Sequence, residues 1–306
     1  MYRHAAIVVT YFPDTDVIEN LERLSFLCDQ LIIIDNTSQK DRPSYPKKPN
    51  VTVQTSTENV GLAKALNMGM NLAGEVGIEN VFLLDQDSRP SNRYFREMLR
   101  FKSTFENSTY KYGFYVPNFY DRNSKTFAIF PLLNRWYLRH VTCKNMPIRN
   151  ENFALIAITS GMLIDLLRYK NIGSFREDYY IDFIDNEYCL RANRLGFSIA
   201  VNCDLILDHA VGQRSVNKFL GLTIKPNHHA PVRKYYIFRN GIRTCIEYLR
   251  PYPIYAVLMT ARLTHEILSI LLYESDKLRK IEAILLGTYH GFMGKMGKCP
   301  LRRFLR

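Results

Sequence analysis

The stretch "LLDQDSRP" (83–90) places Asp85 and Asp87 one residue apart at the end of an apolar run, in a chain with 41 Lys and Arg, 29 Asp and Glu, and a net charge of +12. Alternation along a strand turns both carboxylates to one side and Gln86 to the other. Like charges held together call for a cation. Hard carboxylate oxygens suit Mg²⁺ or Mn²⁺, which keep positions open for substrate phosphate oxygens. The structural alternative is that Asp87-Ser88 caps a helix entered at Pro90, a contribution of about 1 kcal/mol.

A second acidic group lies in "IDFIDNEYCLR" (181–191). A helix there would put Asp182 and Asp185 on one face and pair Glu187 with Arg191 at i, i+4. One aspartate suits the helix N-terminus. The other suits a general base that takes a proton from an attacking hydroxyl. His209 ends a strand-like stretch and its neutral imidazole could complete a metal shell, although a lone histidine is as readily structural. "RKYYIFRN" (233–240) interleaves Arg233, Lys234 and Arg239 with Tyr235 and Tyr236. Such a mixture suits phosphate, sugar or RNA, or the face of a basic helix resting on the domain.

The elements that must position these groups are legible first as short β-branched runs at 5–12, 31–38, 51–57 and 81–88. Between them, "VIENLERLSFLCD" and "GLAKALNMGMNLAGEV" repeat apolar residues at three and four. This βαβ pattern predicts a largely parallel sheet covered by helices, with ligands beyond the carboxyl ends of the strands. Those ends read Thr10-Tyr11, Asp35-Asn36 and Asp85-Gln86-Asp87. No G-x-G-x-x-G follows a strand and no G-x-x-x-x-G-K-[ST] occurs, which weakens a nicotinamide or P-loop reading. Further on, the chain shows an apolar run at 153–164, a helix predicted over 181–196 and stopped by Gly196, and a strand ending at Asp208-His209.

The 306 residues, 47% of them apolar, fit one α/β domain with an appendage. Residues 233–306 hold 14 Lys and Arg against 5 Asp and Glu, so the basic character sits mostly in the tail, where it suits an anionic lipid surface, nucleic acid or a charged substrate, or equally a solvated helix face. The six cysteines show neither zinc spacing nor a disulfide framework, and a reduced cytosolic setting is expected. The start lacks signal-peptide features. The apolar stretch 253–273 carries Arg262, His265 and Glu266, too costly for a simple span, and is expected to be an amphipathic or core helix.

Taken in order, "VVTYFP", "IIIDNTS", "NVGLAKALNMGM", "LLDQDSRP", "TSGMLI", "GSFREDYYIDFIDNEYCLRANRLGF", "DHAVG" and "RKYYIFRN" resemble the family 2 glycosyltransferases of the GT-A fold, in particular their bacterial rhamnosyltransferase branch. The likeness covers residues 5 to about 245. It implies a GT-A domain over 1–245, with a nucleotide-binding part at about 1–100 and an acceptor and catalytic part at about 101–245. A helical, basic, membrane-associating extension would occupy 246–306.

By the same resemblance, Thr10, Tyr11, Asp35, Asn59, Gly61 and Asp85 contact the donor nucleotide. Asp87, with Asp85 and His209, holds Mg²⁺ or Mn²⁺. Asp185 is the base, with Asp182 second, and Arg233, Tyr236, Arg239 and Asn240 contact acceptor or diphosphate. The implied reaction is inverting transfer from dTDP-β-L-rhamnose to a lipid-linked glycan of the O-antigen type, at the inner face of the cytoplasmic membrane. A UDP-hexose or UDP-galactofuranose donor is the alternative. Of two rivals, a nucleotidyltransferase would carry a Gly-rich basic loop after the first strand, where "YFPDTDVIEN" stands instead. A basic RNA-binding module leaves the acidic strand ends unexplained, so no nucleic-acid partner is expected.

Overall fold

The computed structural model describes residues 3–37, 42–122, 125–145, 153–209, 217–219, 222–224, 226–301 and 304. Its first half follows the βαβ pattern. Strands β1 (His4–Thr10), β2 (Gln30–Asp35) and β3 (Val51–Thr55) frame helices α1 (Thr15–Leu24) and α2 (Leu62–Glu75), and β4 (Asn80–Asp85) precedes α3 (Tyr94–Ser103). Asp14 caps α1, its carboxylate accepting from the Val17 N–H at 2.9 Å.

The second half comprises β5 (Tyr112–Asp121), β6 (Thr126–Phe127), β7 (Phe130–Leu133), β8 (Leu138–Val141), β9 (Ala154–Leu155), β10 (Met162–Asp165), α4 (Leu166–Ile172), α5 (Ile184–Arg194), β11 (Ser198–His209), β12 (Asn217–Phe219) and β13 (Leu222–Ile224). Three helices follow, α6 (Pro231–Tyr248), α7 (Pro253–Tyr273) and α8 (Lys277–Met293). Proline at the first position of α6 and of α7 suits a helix start, where its missing N–H has no intrahelical partner to lose.

The main sheet runs β11-β5-β10-β4-β1-β2-β3, with β6 on β5. Strands β4, β1, β2 and β3 pair in parallel, and β10 is antiparallel to both β4 and β5. The small sheet β8-β7-β9 stands beside it. Helix α2 covers one face over Ile7, Ile32 and Ile34, and α1 and α3 cover the other over Ala6, Val8 and Phe82. This is the mostly parallel, helix-flanked GT-A arrangement expected from the sequence.

Three expectations need correction. The strands end two or three residues earlier than the sequence pattern suggests, so Asp87 lies in a turn after β4, closed by the Ser88 N–H to Asp85 carbonyl bond of 3.0 Å. Strand alternation therefore does not set its direction, and Asp87-Ser88 does not cap α3, whose cap is Arg93. The second helix of interest begins at Ile184, which leaves Asp182 outside it at φ 65°. Cys143 and Cys203, 60 residues apart, form a disulfide because the fold brings their Cα atoms to 5.2 Å.

The helices expected of the tail are present; residue 245 falls inside α6, and Phe238, Tyr255, Met259, Ile270 and Ile284 join the same core as α2 and α5, so these helices pack on the domain. Helix α8 lies close on α6, where a Cβ at Gly287 would sit 2.4 Å from the Tyr235 carbonyl oxygen. Gly287→Ala is thus expected to cost about 1–3 kcal/mol through overpacking and to lower Tm by roughly 5 °C in a thermal melt.

Candidate active site

A cavity of about 700 Å³ opens beyond the carboxyl end of β4, lined by Asp85, Thr159, Asp182, Asp185, Arg233 and residues of α7. It lies where α/β sheets place ligands. Phe183, at φ 63°, leads the chain from Asp182 into α5 and sets Asp185 in the first turn, on the cavity wall. Its ring lies under the Arg262 guanidinium at 5.1 Å.

The two aspartates ranked for base chemistry are separated by their partners. Asp182 is clamped by Arg233, whose Nη2 and Nε donate to its two oxygens at 2.6 and 2.8 Å. That bidentate fork occupies both of its oxygens. The Asp182 charge in turn holds the Arg233 guanidinium above its ordinary range. Among the described residues, Asp185 accepts its neighbour's backbone N–H, from Asn186 at 2.8 Å. Burial pushes its carboxyl up to about 6, against the Asn186 bond and the Arg262 charge, and Asp182 and Asp85 add to the rise. A base of that strength is poised near neutral pH.

The loop carrying these aspartates is fixed from α6. Asn240 Nδ2 donates to the carbonyls of Tyr179, Ile181 and Asp182 at 2.9, 2.8 and 2.9 Å. Arg239 donates to the Asp178 and Tyr179 carbonyls and to that of Gly297. Both side chains are fully buried. Tyr236 is buried too, stacks on Tyr180 at 5.1 Å and accepts the Cys299 N–H at 2.7 Å. Among the four residues expected to touch acceptor or diphosphate, Arg233 lines the cavity, whereas Tyr236, Arg239 and Asn240 hold the loop from behind. The expected i, i+4 pair is present, with Arg191 Nη2 to Glu187 at 2.9 Å.

The residues expected to contact the nucleotide lie in the first half of the sheet and the loops that follow its strands. Asp35 is fully buried, accepts the Thr37 N–H at 2.8 Å and lies 3.6 Å from Arg42. The Thr10 hydroxyl bonds Tyr45 at 2.8 Å, while the exposed Tyr11 donates its N–H to Gln86 at 2.8 Å. The Asn59 side chain accepts the Gly61 N–H at 2.9 Å, and its carbonyl accepts the Tyr180 hydroxyl at 3.0 Å. Gly61 has φ 87°, and a Cβ there would meet Tyr180 at 2.8 Å, so glycine is required where the donor-side loop touches the catalytic loop.

Asp85 lines the cavity at the β4 end, and Asp87 follows it in the turn. Among the described residues no three or more His, Cys, Asp or Glu converge to hold a metal ion. Two carboxylates with positions left for phosphate oxygens nevertheless fit Mg²⁺ or Mn²⁺. The accumulated charge fits as well, since Asp85 raises the proton affinity of both Asp185 and Arg233. The His209 side chain lies outside what is described, although its backbone ends β11 beside Asp121.

Sequence reasoning missed the contribution of α7. Arg262, His265 and Glu266 line the cavity, and Glu266 is held by Lys234 and by Asn227 at 3.2 Å. The signal was present, as polar residues at i, i+3 and i+4 on an apolar helix mark an inward polar stripe.

The fold is the GT-A arrangement and its cavity is lined by acids; the sequence is similar to those of glycosyltransferases. No family model matches the chain. It is 29% identical over 302 residues to dTDP-rhamnosyl transferase RfbF of Shigella flexneri, covering 95% of this chain and 96% of that protein. It is 22% identical over 305 residues to the low-salt glycan biosynthesis hexosyltransferase Agl10 of Haloferax volcanii, covering 95% and 92%.

Among solved structures, S. aureus TarS matches with a TM-score of 0.54 at 14% identity over 92% of this chain, which spans about half (48%) of the TarS chain. TarS 1-349 in complex with UDP-GlcNAc gives 0.54 at 16% identity, covering 92% of this chain and 79% of that one. The chain is therefore a glycosyltransferase, rhamnosyltransferase-like in sequence.

Proposed function

We propose that the chain transfers L-rhamnose from dTDP-β-L-rhamnose to a hydroxyl of a lipid-linked glycan, with inversion at the anomeric carbon. The observation that carries this reading is the division of labour between Asp182, clamped by Arg233, and Asp185, held near pKa 6 on the cavity wall. The likeness to a dTDP-rhamnosyl transferase supports the choice of donor.

Asp185 takes the proton of the acceptor hydroxyl, and the freed oxygen attacks the anomeric carbon from the face opposite the diphosphate. The bond from that carbon to the phosphate oxygen breaks, its electron pair leaves with dTDP, and the β donor gives an α-linked product. Thr10, Tyr11, Asp35, Asn59 and Gly61 form the nucleotide ledge. Asp85 and Asp87 would hold Mg²⁺ or Mn²⁺, which when bound supplies positive charge for the departing diphosphate. The basic tail suits a peripheral position on an anionic bilayer at the inner face of the cytoplasmic membrane, each Lys or Arg near the surface contributing about 1 kcal/mol.

A thermal-shift panel of nucleotide sugars with Mg²⁺ or Mn²⁺ tests the donor. At a concentration 100-fold above Kd, a true donor stabilises the fold by about 2.7 kcal/mol. dTDP-rhamnose should give the largest shift, and a larger response to a UDP-sugar would replace it. The base assignment sets the pH dependence. Asp185 is ionised above about 6, so kcat/KM should rise through that pH and level off above it. Arg262→Met removes a charge that favours the ionised form, and its acid limb should move to higher pH.

A further inference from the structure

We propose that the β7–β8 hairpin tip, together with the outer face of α7, is the surface that docks on an anionic lipid bilayer, with Trp136 as its anchor. The inference deepens the peripheral-membrane reading above and rests on it, but it moves the contact from the basic tail to the rim of the catalytic cavity.

The hairpin tip is unusually apolar for an exposed turn. Trp136 is 71% exposed and Tyr137 52%, and Ile129, at 59%, leads into β7 while lining the cavity. Asn134 Oδ1 accepts the backbone N–H groups of both Trp136 and Tyr137, at 3.0 and 2.8 Å, so the turn that presents the two rings is built and held. Buried tryptophan normally contributes core packing, whereas this ring and its N–H stand in solvent, the disposition suited to a membrane–water interface.

The charge around the tip has one sign. Residues 125–145 contain Lys125, Arg135, Arg139 and Lys144 and no Asp or Glu. Arg135 lies 5.2 Å from the Trp136 ring, so a cation and the aromatic anchor occupy the same end of the hairpin. That combination complements anionic headgroups over an apolar layer.

Helix α7 continues the surface. The Ile254 N–H donates to the Arg135 carbonyl at 3.4 Å, which ties the helix start to the hairpin tip. From there Val257, Ala261, Thr264, Leu268 and Leu271 recur at three and four along one exposed stripe, with no charged member. Arg262, His265 and Glu266, on the adjoining and far sides of the helix, line the cavity. The helix is long and apolar enough to cross a membrane by length and composition, with mean hydropathy 1.3, but its polar stripe is committed to the cavity. An interfacial helix accommodates both faces. An acceptor whose lipid stays in the bilayer would then meet Asp185 at the membrane surface.

Trp136 is the chain's one tryptophan, so its fluorescence reports this site alone. The whole protein is mixed with vesicles of phosphatidylcholine, with or without phosphatidylglycerol, and followed by emission and co-sedimentation. The expected result is a blue shift on anionic vesicles and quenching by brominated acyl chains. The double variant R135Q/R139Q, changed only at exposed side chains, should lose roughly tenfold or more in vesicle partition, with an unaltered melt.

Co-sedimentation with unmoved Trp136 emission would overturn this assignment and leave the membrane reading standing. Absence of binding to either vesicle would overturn both. A shift that follows protein concentration without vesicles would make the face a contact between two copies and also overturn the proposal.

Discussion

Asp185→Asn is expected to reduce sugar transfer roughly 10²- to 10⁴-fold while donor binding, read by calorimetry, stays within about twofold. The amide keeps the size of the side chain and its contact with the Asn186 N–H, but it cannot accept the acceptor's proton. A second reading separates this from misfolding. A carboxyl whose folded pKa is raised to about 6 favours the folded state when protonated, so that advantage is lost as pH rises from the unfolded value near 4 through 6. The variant carries no such burden. Its Tm relative to the wild type should therefore increase between pH 5 and pH 8, and wild-type turnover in the variant would remove Asp185 from the mechanism.

Lys234→Met should produce the largest loss of stability. Lys234 is fully buried on α6 and pairs with Glu266 of α7 and, at 3.0 Å, with Glu274 at the end of α7. Lys280 of α8 completes the cluster at 2.8 Å from Glu274. Burial alone would raise the Glu274 carboxyl, but the hydrogen bonds from Lys280 and Lys234 prevail and hold it below its ordinary range.

Removing one cation from such a cluster leaves buried negative charge uncompensated, at about 3–5 kcal/mol, which for a chain of this length lowers Tm on the order of 10 °C. Because Glu266 also lines the cavity, transfer should fall in the same variant. A melt unchanged within 2 °C would show that the three C-terminal helices do not depend on this cluster.

The parallel half of the sheet was legible because four β-branched runs and two helix-periodic segments are interleaved between Ala5 and Asp85. Its strand ends were not, since polar residues in a turn can continue a two-residue alternation after the ladder has stopped, as Gln86 and Asp87 do. The catalytic loop was misread as helix for a related reason. Asp182 and Phe183 take left-handed backbone angles that no glycine announces, and the three carbonyls caught by Asn240 stabilise them from 58 to 61 residues away.

The same distance hid the roles of Arg239 and Asn240, because a helical pattern cannot tell a side chain directed at ligand from one spent on a distant backbone. It hid the Cys143–Cys203 pairing, which depends on where β11 lies and not on any spacing. In α7 the polar residues were recognised only as a cost to membrane insertion. Their neighbourhood with Asp185 emerges when α7 packs over the cavity.

The central claim is that a nucleotide sugar binds across the β4 end with its anomeric carbon turned toward Asp185. A crystal soaked with dTDP-β-L-rhamnose and Mn²⁺ tests it most directly. Diphosphate and metal density is expected beside Asp85 and Asp87, and the sugar in the cavity between Asp185 and Arg233. Nucleotide bound elsewhere, or a sugar turned away from Asp185, would contradict it.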